Sequence, residues 1–322
     1  MAAQVVVDSA GAFMGGAARF LGELESYVER RNCPGLTIIG RGRGLSPTWL
    51  LERERQAPRS AQRIALNNVS FSRSGGTRIV ILRNALHFAE PDELAALSYR
   101  PPKAMKIQTQ VVRAAARRAD VVVAPCAAMA ERVLRYLPSV SGHIVVRPHP
   151  VTPRDWAGTP APACDLLVPV LNAPYKRLPW HLKNILDAYD IAGLRGRIHV
   201  TAVRDEFPEE VGGDERLNFV GRLNQAALDR YWQDSRAIYF PTQLEAFGYP
   251  LAEARANGRR IIALDTPQNR EIGGAALAPF ATGNVESLAA AIREAMEVRV
   301  IPDLDKFDAD PYFDWLLGDA HG

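Results

Sequence analysis

The chain has 322 residues, of which 47% are apolar, and a formal net charge of +3. That length suits two domains of roughly 150 residues each, and the apolar share excludes a disordered chain. So small a net charge argues against a nucleic-acid partner, and Cys33, Cys126 and Cys164 are too scattered for a metal cluster or a disulfide framework.

In chain order, a short strand at 4–8 comes first, Gln-Val-Val-Val-Asp. A loop with Gly11, Gly15 and Gly16 precedes a helix at 17–31. A strand at 36–39, a basic loop at 41–44 and a strand at 78–82 follow. The loop after that last strand carries Asn84 and His87. A helix at 102–119, a strand at 120–124, a helix at 127–136 and a strand at 144–146 complete the first half. Alternating strands and helices imply a mostly parallel sheet with helices on both faces. The segment 147–153, Arg-Pro-His-Pro-Val-Thr-Pro, is stiff and marks a domain boundary. Beyond it the alternation resumes, with strands at 165–171, 197–202 and 217–220, and helices at 181–191 and 225–235. A strand at 237–240, a helix ending at Gly258, a strand at 260–264 and a helix at 285–298 close the second half. We expect an N-terminal domain at 1–151, a second at 152–300 and a tail at 301–322. Two readings of the aromatic tail stay open: a helix crossing back to the first domain, or an ordinary amphipathic packing helix.

The start of the chain has neither a basic region nor a long apolar run, so no secretory leader is expected and the expected location is cytoplasmic. No run reaches the length of a membrane span. The helix near 103–118 carries Lys103, Lys106, Arg113 and Arg117 at near-helical spacing. It reads as a solvated face, with peripheral contact at an inner membrane surface left open.

The most informative stretch is Glu245-Ala-Phe-Gly-Tyr-Pro-Leu-Ala-Glu253. It lies between an apolar strand and a short helix opened by a proline. The start of such a helix presents free backbone N–H groups where an anion binds. A carboxylate inside the helix accepts hydrogen bonds from hydroxyl groups of the same ligand. A phosphate beside a diol is what a nucleotide-sugar offers. Lys176 follows the strand at 165–171, at the end of a strand where ligands of such folds bind, in a chain with few lysines.

These residues resemble the donor site of retaining glycosyltransferases of family four (glycosyl transferases group 1), which have the GT-B fold. The resemblance implies an α/β protein of two Rossmann-like domains facing across a cleft, the first binding most of the acceptor and the second the nucleotide-sugar. It implies that Glu253 binds the ribose hydroxyls, that Glu245 lies near the donor sugar, and that the backbone of Phe247, Gly248 and Tyr249 surrounds sugar and phosphate. It matches Gly15-Gly16 to a diphosphate-binding loop, which reads equally as a tight turn. It sets Lys176 on the diphosphate, with Arg177 compensating for an arginine absent near Asn172. His87 or Asn84 matches a first-domain residue on the donor sugar, and His87 reads equally as a loop histidine. Arg19 reads as a phosphate contact or a surface charge. The sequence departs from the family at Ala246, where a glycine is usual, and at His149-Pro150, where Asn-Gly is usual.

The activity implied is transfer of a sugar to a hydroxyl acceptor with retention of configuration. The acceptor is a glycan, a lipid-linked molecule or a small natural product. No cofactor and no metal are expected, since Asp303-Leu-Asp305 and Asp308-Ala-Asp310 lie in the tail rather than at a strand end. A phosphate-binding P-loop, a dinucleotide fingerprint and a serine nucleophile elbow are all missing from the sequence. Two alternatives stay open: a nucleotide-sugar 2-epimerase of the same fold, and a non-catalytic partner subunit.

Overall fold

The structure is a computed structural model that describes residues 4–154, 164–298 and 300–318. Its strands are β1 Val5–Asp8, β2 Leu36–Ile39, β3 Gln62–Ala65, β4 Arg78–Ile81, β5 Val121–Ala124, β6 Ile144–Val146, β7 Cys164–Val168, β8 Ile198–Val200, β9 Leu217–Phe219, β10 Ser235–Phe240, β11 Arg260–Leu264 and β12 Leu277–Phe280. Its helices are α1 Gly15–Arg31, α2 Pro47–Gln56, α3 Pro91–Ala96, α4 Lys103–Arg118, α5 Ala127–Tyr136, α6 Leu178–Ala192, α7 Glu209–Gly212, α8 Gln225–Asp234, α9 Tyr249–Ala256, α10 Pro267–Gly273, α11 Val285–Glu297 and α12 Ala309–Leu317.

The strands form two six-stranded sheets, ordered β2-β1-β3-β4-β5-β6 and β12-β11-β10-β7-β8-β9. Every pairing is parallel; Val5 faces Leu36 on one side and Gln62 on the other. Parallel strands are covered on both faces, which is why Val5–Asp8 and Arg260–Leu264 are buried along their whole length. Helices cover the sheets with apolar stripes; α1 turns Phe20, Leu24 and Tyr27 inward at spacings of four and three. Side-chain caps fix several helix starts: Ser46, Asn224, Thr266 and Asn284 each accept from a backbone N–H three residues on.

The tail returns to the first sheet's domain. Tyr312 and Phe313 of α12 each pack edge-on against Phe20 of α1, with ring centroids 5.7 Å apart. Tyr27 donates to Asp314, and Gln62 Nε2 donates to the Leu316 carbonyl at 2.7 Å. Elsewhere the two halves are joined at the start of α5. There the Glu271 carboxylate of α10 accepts from the Ala127 N–H at 2.8 Å and the Ala128 N–H at 3.3 Å. Among the described residues, no helix is long and apolar enough to cross a membrane.

The structure corrects the sequence-based elements in several places. Gly15 and Gly16 are not in a loop but open α1. The strand expected at 165–171 ends at Val168, and the one at 197–202 shortens to three residues. Six elements were not anticipated: α2, β3, α3, α7, α10 and β12. Charge hides the first two, because Arg53 and Glu54 of α2 and Arg63 of β3 are buried. A proline interrupts β12, which is tolerated because that strand lies at the sheet edge.

Candidate active site in the interdomain cleft

Sheets of this kind open a crevice where strand order reverses, beyond the carboxyl ends of two neighbouring strands. In the second sheet that point lies between β7 and β10. The chain leaves β7 towards a single 3-10 turn, Pro174–Lys176, and leaves β10 into the loop carrying Glu245. The two loops meet there, and Lys176 Nζ donates to Glu245 Oε1 at 3.0 Å. Their side chains are 13% and 21% exposed, so the pair is largely desolvated yet open to the cleft. Burial pulls the Lys176 pKa down, but the Glu245 carboxylate outweighs it and holds the value above that of an ordinary lysine. A full positive charge therefore stands at the strand end.

The turn from the Glu245 loop into α9 requires glycine. Gly248 has φ +78, and a Cβ there would lie 2.8 Å from Leu251 Cδ1. Gln268 Nε2 donates to the Phe247 carbonyl at 3.0 Å and steadies the same turn. Ala246, where the resemblance calls for glycine, is buried, and its carbonyl accepts from Cys126 Sγ of the first domain at 3.3 Å.

Across the cleft stands the start of α1. Its cap, Met14, has no side-chain bond to the helix, and its first turn has no acidic residue. The leading amides and the positive end of the dipole are thus left for an anion. The α1 start and the Lys176–Glu245 pair line one cleft of about 900 Å³ between the domains. That volume holds a ligand of nucleotide size.

Gly15, Gly16, Lys176, Glu245, Phe247, Gly248, Tyr249 and Glu253 all line this cleft. His87 and Arg177 do not. His87 is buried, with Nδ1 3.0 Å from Thr109 Oγ1 and Nε2 3.4 Å from Asn84 Nδ2. Burial pushes its pKa down to about 4, so the ring is neutral. Asn84, the other residue in that loop, does reach the cleft. Arg177 turns away, donating to the Ala96 carbonyl at 3.1 Å and lying over Trp180. Arg222, beyond β9, lines the cleft, while Asn172 bonds Glu206.

Tyr249 contributes its side chain to the domain contact. A Cβ built on Gly16 would lie 3.0 Å from its ring, so the second domain's tyrosine rests on the first domain's glycine. Glu253 is 4% exposed, and its Oε1 lies 3.0 Å from both Arg19 Nε and Arg154 Nη2. Arg19 thus forms an ion pair between the domains and lines the cleft, which sets it apart from a plain surface charge.

The sequence reading missed Arg154, Arg83 and His149. Arg83 lines the cleft and donates to the Ala17 and Leu66 carbonyls; burial pushes its pKa down to about 10. His149 is 1% exposed and lies against Phe20 and Phe247, with ring centroids 5.1 and 4.9 Å away. Burial, helped by Arg83, lowers its pKa well below the ordinary value. The departure from the family at 149–150 was the available signal for it. The Asp-x-Asp pairs of the tail have structural partners: Asp303 accepts from Arg255 at 2.9 Å, and Asp310 pairs with Arg30 and Arg31.

Two six-stranded parallel sheets with a cleft between them and a tail helix crossing back define a GT-B fold. Residues 202–308 match the protein family described as glycosyl transferases group 1. Solved structures agree on the fold. Sucrose-phosphate synthase from Thermosynechococcus elongatus is similar over 99% of this chain and 93% of its own, with a TM-score of 0.63 and 13% identity. A glycosyltransferase involved in avilamycin A biosynthesis is similar over 98% of both chains, with a TM-score of 0.61 and 14% identity. The S. aureus protein TarM, solved in complex with fondaparinux, alpha-GlcNAc-glycerol and UDP, matches 85% of this chain at a TM-score of 0.55 and 13% identity. The chain spans 58% of the length of that protein. No curated protein sequence matches the chain.

Proposed function

We propose that this protein transfers a sugar from a nucleotide-diphosphate donor to a hydroxyl acceptor, with retention of configuration and without a metal ion. The observation that carries this reading is the Lys176–Glu245 pair at the strand-order reversal of the second sheet, facing the uncapped start of α1 across the cleft. A diphosphate between them meets a cation on one side and free amides on the other. Glu253 is then the acceptor for ribose hydroxyls, and the Phe247–Tyr249 turn borders the sugar.

In the proposed reaction the bond between the anomeric carbon and the diphosphate oxygen breaks, and the acceptor oxygen bonds to that carbon on the same face. The acceptor proton passes to the departing phosphate oxygen, so no protein base is needed. Lys176 and the α1 amides stabilise the charge that grows on the leaving diphosphate. Glu245 holds Lys176 in place and stands beside the sugar. The first-domain wall, with Asn84 and Arg83, is assigned to the acceptor and to closing the cleft.

The test is a thermal-shift screen of the purified chain against UDP, GDP, dTDP and ADP, with Glu253→Gln as control. A nucleotide present at about 100 times its dissociation constant adds roughly 2.7 kcal/mol of stability. One nucleotide shifting the wild type and not the variant supports the reading. No shift with any of the four contradicts it. The matching nucleotide-sugar then gives the stereochemistry by NMR of the product, and EDTA should leave turnover unchanged.

A further inference from the structure

We propose that Arg19 is a positioning residue for Glu253, so that the grip on the ribose is complete only when the two domains are together. This rests on the donor-site reading of Glu253 given above. Arg19 belongs to α1 and Glu253 to α9, on opposite sides of the cleft. The guanidinium spans two carboxylates, with Nη2 3.1 Å from Glu23 Oε1 and Nε 3.0 Å from Glu253 Oε1. Glu23 is itself 3% exposed and is fixed by the Thr152 N–H at 3.0 Å and the Thr152 hydroxyl. Arg19 also lines the cleft, but its charge is already balanced by two buried carboxylates, which favours a positioning role over binding of a phosphate.

What it does instead follows from the oxygen it chooses. Arg154, from the segment joining the domains, places Nη2 on the same Glu253 Oε1 at 3.0 Å. Arg154 is braced by Asp229 at 2.6 Å and, through its backbone N–H, by Asn257 at 2.6 Å. Two guanidinium groups thus converge on one carboxylate oxygen. Among the described residues nothing bonds Oε2 of Glu253, which lines the cleft. Arg154 by a hydrogen bond and Arg19 by an ion pair both hold Oε1, which leaves the other oxygen for a ligand hydroxyl. Arg19 comes from the far side of the cleft, so opening the domains removes its share of this support.

The test measures binding of UDP, GDP and ADP and of their 2′,3′-dideoxy counterparts by isothermal titration calorimetry. The proteins are the wild type, Arg19→Gln, Arg19→Lys, Glu253→Gln and the double variant Arg19→Gln/Glu253→Gln. The wild type should favour the ribose form of the nucleotide it binds. Arg19→Gln should weaken that form about tenfold and leave the dideoxy form nearly unchanged. Arg19→Lys should recover part of the loss, and Arg19→Gln should add nothing to Glu253→Gln. Equal loss for ribose and dideoxy forms would reduce Arg19 to a structural residue. Unchanged or tighter ribose binding would overturn the proposal outright. A wild type that binds none of the three nucleotides fails at the donor site itself, and the role of Arg19 falls with it.

Discussion

The two sheets reverse strand order at comparable places and use those places in opposite ways. In the first sheet the reversal lies between β1 and β3. There Asp8 accepts from the Ala10 N–H and Trp49 Nε1, both at 3.0 Å, from Arg53 at 2.6 Å and from Asn67 Nδ2 at 2.7 Å. Asp8 and Arg53 are 0% and 1% exposed. In the second sheet Lys176 and Glu245 share one bond, and the rest of each group faces the cleft. One architecture thus yields a carboxylate whose acceptor positions are filled by protein and a charged pair with bonding capacity in reserve. The first is scaffold; the second is where a ligand gains most.

This contrast makes predictions that differ in kind. The largest effect on stability should come from the sealed side. Asp8→Ala leaves Arg53 buried without its counter-charge and should cost about 3–5 kcal/mol in chemical denaturation. A loss below about 1 kcal/mol would mean that water or a shifted acid replaces Asp8. On the open side, Lys176→Ala leaves a Glu245 carboxylate that is still 21% exposed, so it should cost clearly less stability than Asp8→Ala. It should instead raise the barrier to transfer by about 2–4 kcal/mol, read as a fall in kcat. A variant that unfolds but turns over normally when folded would reverse the contrast.

Smaller effects sharpen the boundary between the two sides. Gly16→Ala drives a methyl group against the Tyr249 ring, which overpacks the domain contact at a cost of about 1–3 kcal/mol. Differential scanning calorimetry should record a lower transition temperature. Tyr249→Leu in the same chain should restore part of it. Last, the buried neutral histidines of the scaffold make stability depend on acid. His87 is pushed down to about 4 and His181 to about 3, both chiefly by burial. Their contribution is fully present above about pH 6.5, the ordinary histidine value, because both states are then neutral. It is lost as the pH falls from there towards 4, since the unfolded chain takes up the proton first. Each histidine adds a slope of up to about 1.4 kcal/mol per pH unit in that window. His87→Gln should flatten the profile by one such slope, measured by urea denaturation at pH 4.5, 5.5 and 6.5.

Much of the scaffold was legible because buried parallel strands are continuous apolar runs. Val121–Ala124 and Ile261–Leu264 announce themselves in this way. The spacing Glu245 to Glu253 and the glycine between them mark a turn into a helix, and the structure has that turn. Strand β3 was illegible because Arg63 occupies a core position that composition assigns to solvent. The burial of His87 was illegible for a different reason: its loop gives no local sign that Thr109 and Asn84 close over the ring. Arg19 was left between two readings, and Arg154 was not singled out. Their shared partner Glu253 is 234 and 99 residues away in the chain, and no local pattern encodes a contact formed by domain docking.

The central claim is that the open reversal point of the second sheet holds a diphosphate. The most direct measurement compares nucleoside mono- and diphosphates by isothermal titration calorimetry on the wild type and Lys176→Ala. The account predicts that the wild type binds the diphosphate at least tenfold more tightly than the monophosphate, and that Lys176→Ala removes most of that preference. A preference that survives intact in Lys176→Ala, or a wild type that does not distinguish the two, would contradict it.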